Sequence, residues 1–95
     1  QFDVVTARAV SALPILLEIC TPLLKVGGLF IAYKTDESEL DTVKNALKTL
    51  DCAIKDVFKF NLPSGDNRAI LVFEKKSKTP EKYPRPYSQI KKKPL

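Results

Sequence analysis

Ala53-Ile-Lys-Asp-Val-Phe-Lys-Phe-Asn-Leu62, Pro63-Ser-Gly-Asp66 and Arg68-Ala-Ile-Leu-Val-Phe-Glu74 are the three consecutive stretches on which the fold turns. In the first, Ile54, Phe58, Phe60 and Leu62 fall on one parity and Lys55 and Lys59 on the other, which is the period of a strand. The second is turn chemistry: proline presets φ, glycine accepts a positive φ, and serine and aspartate bond locally to the backbone. The third is apolar from Ala69 to Phe73. Two strands joined by so short a turn pair antiparallel.

Upstream the rhythm differs. Phe2-Asp-Val-Val-Thr6 predicts a strand whose near-continuous apolar run suits a parallel strand covered on both faces. Leu13, Leu16, Leu17, Cys20, Leu23 and Leu24 recur at helical spacing, predicting a helix from a cap at Ser11 to about Val26. Pro14 falls in its first turn, where a missing N–H costs little. Pro22 is interior and should kink or restart the helix. Gly27 and Gly28 should end it, one of them as a left-handed cap.

Leu29 to Tyr33 predicts a second strand ending near Lys34. Asp36 then has the look of an N-cap with Glu39 as its capping-box partner, opening a helix to about Leu50. Leu40, Val43, Leu47 and Leu50 should face inward and Lys44 and Lys48 outward. The order β-α-β-α-β-β is an α/β body over residues 1–75, a parallel sheet with crossover helices that closes on an antiparallel hairpin.

Residues 76–95 differ in kind and read as a separate basic, proline-rich tail. Residues 1–74 carry 8 basic and 10 acidic side chains, whereas residues 75–95 carry 8 basic side chains against Glu81 alone. The net charge of +5 therefore comes from the tail, and such asymmetry points to a polyanionic partner, nucleic acid or an anionic membrane surface. With four of the seven prolines and little apolar surface, the tail is expected to be extended or polyproline-like.

Composition also excludes. There is no histidine, so His-based metal sites and Ser-His or Cys-His triads cannot be built from this chain. Cys20 and Cys52 lack CxxC spacing and sit among apolar residues, as buried thiols of a cytoplasmic protein do. No apolar run approaches the ~20 residues of a membrane helix. The chain starts at Gln1, without methionine, almost directly in an apolar strand, and is expected to be a segment of a longer protein.

In open α/β sheets ligands bind beyond the carboxyl ends of the strands. Arg8 follows the first strand and Lys34 ends the second, so both are expected to point into one crevice. A guanidinium there can hold a carboxylate or a phosphate by two charge-assisted bonds. The plainer alternative is a surface arginine paired with Asp3 or with water. Arg68 sits beside the hairpin turn, where the plain reading is a solvated turn residue. In the tail, Lys76, Lys78, Lys82, Arg85, Lys91, Lys92 and Lys93 interleave with Tyr83 and Tyr87, a pattern able to neutralise RNA phosphates and stack on exposed bases. The alternatives are a solvating tail, or one that packs back over the body.

Three segments carry a resemblance. Phe2-Asp-Val-Val-Thr-Ala-Arg-Ala9, Gly65-Asp-Asn-Arg68 with Ala-Ile-Leu-Val-Phe-Glu-Lys75, and Thr79-Pro-Glu-Lys-Tyr-Pro-Arg85 with Lys92-Lys-Pro-Leu95 are similar to the bacterial 16S ribosomal RNA guanine-N7 methyltransferases, the glucose-inhibited division protein B family. Ser88 and Ile90 depart from the glycine and proline that many members have there. The resemblance implies the C-terminal half of a class I, Rossmann-like methyltransferase sheet, with the last strand inserted between its two predecessors. It implies S-adenosylmethionine (AdoMet) as methyl donor, Arg8 at its pocket, and Lys34 and Arg68 near the cofactor or an RNA phosphate. It implies 16S ribosomal RNA or the small ribosomal subunit as partner, and a glycine-rich cofactor loop upstream of Gln1. Residues 1–95 alone are then expected to be inactive and to self-associate through the bare edge of the first strand. The alternative is a non-catalytic RNA- or ribosome-binding module, distinguished by the upstream residues and by AdoMet titration.

Overall fold

The computed structural model describes residues 1–8 and 12–95. In chain order these form β1 (Phe2–Arg8), α1 (Leu13–Cys20), β2 (Leu24–Lys34), α2 (Lys44–Leu50), β3 (Cys52–Asn61), β4 (Asn67–Lys75) and α3 (Tyr87–Lys92). Short 3-10 turns at Thr21–Leu23 and Ser38–Thr42 precede β2 and α2. The sheet order is β1-β2-β4-β3. β1 and β2 run parallel, and β4 lies antiparallel to both β2 and β3. The final strand is therefore inserted between its predecessors, and the α/β fold class stands.

Side chains alternate across this sheet. Phe30, Ala32, Ala69, Leu71 and Phe73 share one face with Leu13, Leu17, Val43, Ala46 and Leu50 of the helical layer, all essentially without exposed surface. Phe30 and Phe73 are cross-strand partners with stacked rings, 6.0 Å between centroids. The opposite face is open among the described residues. Val4 is 48% exposed, Phe58 51% and Phe60 46%. The even-parity aromatic residues of β3 thus line this open face, and β1 is an edge of this four-stranded sheet, the bare edge expected for residues 1–95.

The first helix is shorter than its leucine spacing predicts. It ends at Cys20, because Pro22 has no N–H to donate and its ring crowds the carbonyl of Glu18. Leu24 belongs to β2 and is buried, while Leu23 is 46% exposed in the 3-10 turn. Gly27 and Gly28 lie within β2 rather than capping a helix. Gly27 has φ +84°, where the pairing slips from Phe2–Leu24 to Val4–Leu29. A Cβ on Gly28 would sit 2.9 Å from the carbonyl of Lys25 and 3.0 Å from that of Asp3, so only glycine lets these backbones meet.

The expected cap at Ser11 lies outside the described residues. The first N–H of α1 is instead satisfied from a distance: Leu13 N–H donates to Glu39 Oε2 at 2.7 Å. Glu39 is therefore not the capping-box partner of Asp36. Asp36 Oδ1 accepts from the backbone N–H and hydroxyl of Ser38 and supports only the 3-10 turn. These bonds hold the Asp36 carboxyl below its ordinary range. α2 begins late, at Lys44, and ends as expected, with Asp51 in the left-handed conformation at φ 53°.

The tail is not extended. It folds back over α1 and forms α3, whose Ile90 is 2% exposed. Tyr83 and Leu95 pack against the core, and Thr79 is buried. Among the sequence-level alternatives, the one in which the tail packs over the body is the one realised.

Candidate active site and cationic surfaces

The carboxyl ends of β1 and β2 meet the start of β4 and the end of β3 at one edge of the sheet. A cleft of about 780 Å³ opens there, lined by Thr6, Ala7, Arg8, Tyr33, Lys34, Thr35, Phe60, Arg68, Ala69 and Ile70. A smaller hollow of about 380 Å³ adjoins it across Phe60 and Arg68 and reaches Asp36, Glu37 and Lys59. This is the end of an open α/β sheet where ligands bind.

Strand register decides which cations reach the cleft. Arg8 pairs with Tyr33, and Tyr33 with Ile70, so these three residues lie across adjacent strands on the open face. Phe60 pairs with Arg68 on the same face. Arg8 is exposed, and no hydrogen bond or ion pair holds it among the described residues. Asp3, its sequence-level alternative partner, pairs with Lys25 at 3.5 Å instead. Arg68 is half-buried, and its Nη1 donates to the carbonyl of Asn67 at 2.7 Å. The lining contains no acidic residue, so the cleft is electropositive and suited to a carboxylate or phosphate.

Lys34 lines the cleft too, but its side chain is turned from it. It stands one residue beyond Tyr33 on β2, and the period of two turns its side chain to the helical face. Its side chain is 8% exposed, and Nζ lies 2.6 Å from Glu39 Oε1. Burial alone would raise the Glu39 carboxyl. The Lys34 ammonium and the Leu13 N–H together hold it below the usual carboxylate range. Lys34 thus stands at the cleft beside Arg8, as expected, but its ammonium is held by Glu39, through which it anchors the start of α1.

The thiols are poor nucleophiles. Burial pushes both Cys20 and Cys52 up, and Cys52 Sγ is 3.7 Å from both Thr21 Oγ1 and the carbonyl of Leu50. Among the described residues no cluster of three metal-ligating side chains occurs. Nor, among those residues, is any helix long and apolar enough to cross a membrane.

The predicted tail residues divide into two groups. Lys76, Lys78, Lys82, Lys91, Lys92 and Lys93 are exposed, and Tyr87 is 55% exposed. Lys82 Nζ lies 5.3 Å from the centroid of the Tyr83 ring, which itself packs against the core. Arg85 is committed inward, to the buried carboxylate of Glu18. Sequence reasoning missed this pair. The available signal was Glu18 itself, an acid set within the apolar run Leu13-Pro-Ile-Leu-Leu-Glu-Ile-Cys20. Because α1 and the tail lie on one side of the sheet and Arg8 and Arg68 on the other, the tail lysines and the cleft are on opposite faces.

Comparison with known proteins is consistent with this geometry. A solved structure of a proposed methyltransferase from Thermoplasma acidophilum superimposes with a TM-score of 0.63 at 14% identity, covering 81% of this chain and 40% of that one, a likeness of fold. The chain is 46% identical over its whole length to the ribosomal RNA small subunit methyltransferase G of Pseudothermotoga lettingae, and 48% identical to that of Streptococcus sanguinis. It spans 43% and 41% of those two proteins. The family model for rRNA small subunit methyltransferase G matches residues 1–71. With the inserted last strand, the cationic cleft at the carboxyl edge and this extended identity, the chain belongs to the rRNA small subunit methyltransferase G family.

Proposed function

We propose that this chain is the C-terminal portion of a cytoplasmic enzyme that transfers a methyl group from AdoMet to N7 of a guanine in 16S ribosomal RNA. The observation that carries this is the exposed Arg8, without a partner among the described residues, in an electropositive cleft at the carboxyl edge of a methyltransferase-family sheet. AdoMet supplies a methyl group on a sulfonium that is already a good leaving group.

The cleft fits one end of that cofactor. Arg8 would hold its carboxylate by charge-assisted bonds. Tyr33, Phe60 and Ile70 offer apolar surface beside it. Arg68, on the same face, would take an RNA phosphate. Lys34 acts at a distance, by fixing the start of α1 through Glu39.

Guanine N7 carries a free lone pair and needs no base to deprotonate it before attack. A chain without histidine, and with both thiols pushed up by burial, suits that chemistry. Its rate then rests on alignment and electrostatic preorganisation. The exposed tail lysines would add contacts to RNA phosphates. Residues 1–95 alone supply no glycine-rich loop for the rest of the cofactor and would show neither AdoMet affinity nor methyl transfer.

The test is methyl transfer by the full-length protein to 16S ribosomal RNA, free and within the small subunit, with the modified base identified by mass spectrometry. A methyl on guanine N7 supports the proposal. A protein that binds RNA without AdoMet affinity favours the non-catalytic alternative.

A further inference from the structure

Glu18 lies within α1 and its side chain has no exposed surface. A buried carboxylate is tolerated only when its acceptor sites are filled. Arg85 fills them from 67 residues away. Its backbone N–H donates to Oε2 at 2.8 Å, its Nη2 to Oε1 at 2.7 Å, and its Nε to both oxygens at 3.0 and 3.2 Å. Burial pushes the Glu18 carboxyl up, and these bonds more than offset it, leaving the acid below its ordinary range.

The same guanidinium reaches further. Arg85 Nη2 also donates to the carbonyl of Lys93 at 3.0 Å. One arginine therefore ties the first helix of the body to the residue just past α3. Ile90, 2% exposed, packs the middle of that short helix. Six helical residues cannot hold themselves together in water. Their order depends on these two attachments, and Lys91, Lys92 and Lys93 project outward from them.

We infer that the Glu18–Arg85–Lys93 clasp is a positioning device that presents Lys91, Lys92 and Lys93 as a pre-ordered cationic patch for the phosphates of a structured RNA. The inference rests on the proposed RNA contact of the tail and extends it. Because ordering of the lysines takes place in folding, less entropy is lost when the RNA docks. Glu18 and Arg85 are positioning residues: Glu18 is fully buried, and Nε and Nη2 of Arg85 are turned to Glu18 and Lys93. Since the patch and the cleft lie on opposite faces of the sheet, the RNA that uses both wraps an edge of the protein. A short single strand carrying the target guanine would use the cleft alone.

The experiment uses the full-length protein and a 16S ribosomal RNA transcript, with binding measured across a salt series and methyl transfer across RNA concentration. Three changes are compared: Arg85→Lys, which keeps the charge but loses the fork geometry; the joint replacement of Lys91, Lys92 and Lys93 by Ala; and the two combined. The triple replacement should lower the salt slope by about 2 to 3. Arg85→Lys should raise KM for the transcript while leaving kcat at saturation and AdoMet affinity unchanged. The combination should bind no more weakly than the triple replacement. Glu18→Gln, close in shape, should reproduce Arg85→Lys and guards against misfolding of either variant.

An unchanged salt slope in the triple replacement would reject RNA contact by the tail. A weakened triple replacement beside a wild-type KM in both Arg85→Lys and Glu18→Gln would overturn the clasp alone. Additive losses in the combined variant would also overturn it, since Arg85 would then act on RNA directly or on overall stability.

Discussion

Replacing Ile90 with Ala tests whether the tail is a folded element of the protein. Ile90 is 2% exposed and is the buried residue of α3, which lies against α1. Truncation of a buried isoleucine costs about 2–5 kcal/mol, the lower part of that range applying where neighbours can close the gap. α3 is peripheral and free to settle, so about 2–3 kcal/mol is the expected cost. At 1.4 kcal/mol per decade, the open population of the tail rises roughly 30- to 150-fold. Native-state hydrogen exchange reads this directly. The amides of Ile90 and Lys93, which donate to the carbonyls of Pro86 and Gln89, should lose protection by that factor. Amides of β4, in the middle of the sheet, should not change. Unchanged exchange in α3, or an equal loss in β4, would refute the view that the tail docks as its own cooperative unit.

Further outcomes follow from named contacts. Glu18 and Glu39 are both held below their ordinary range in the folded state, whereas an unfolded glutamate titrates near ~4.3. The stability they contribute is present above that value and is lost as pH falls through the lower folded-state values; Glu18→Gln should flatten the loss of α3 protection between pH 6 and 3. Gly28→Ala forces a methyl group against two backbone carbonyls and should destabilise by about 1–3 kcal/mol, seen as a lower urea midpoint. Residues 1–95 expressed alone leave an apolar sheet face and the β1 edge uncovered, and should self-associate in light scattering. Joint Val4→Lys and Phe58→Lys replacement should shift that sample towards monomer.

Much of the fold could be read from periodicity. The alternation through Phe58, Phe60 and Leu62, with Pro63-Ser-Gly-Asp66 after it, specifies the hairpin locally, whereas a bulge between Ile54 and Asp56 takes Ile54 out of that parity. The insertion of β4 between β2 and β3 is a tertiary choice that no local pattern encodes, and it came through family resemblance. The leucine spacing from Leu13 to Leu24 overstated α1, because Pro22 outweighs an apolar stripe. Parity along β2 also bears on the site. Phe30, Ala32 and Lys34 share a face, so a buried Phe30 already turns Lys34 away from Arg8. The tail was misjudged because its mean composition is that of disorder, yet Tyr83, Ile90, Leu95 and one arginine matched to a buried acid are enough to dock it. The place of Arg8 at the cleft could be read from sequence because it depends only on where the first strand ends.

The most direct measurement is a calorimetric titration of AdoMet into the full-length protein and its Arg8→Met variant. If Arg8 holds the cofactor carboxylate, the wild type binds, and the variant loses about 1.5–3 kcal/mol, roughly 10- to 150-fold in affinity, with its melting temperature unchanged. Equal affinity in the two proteins would contradict the placement of the methyl donor in this cleft.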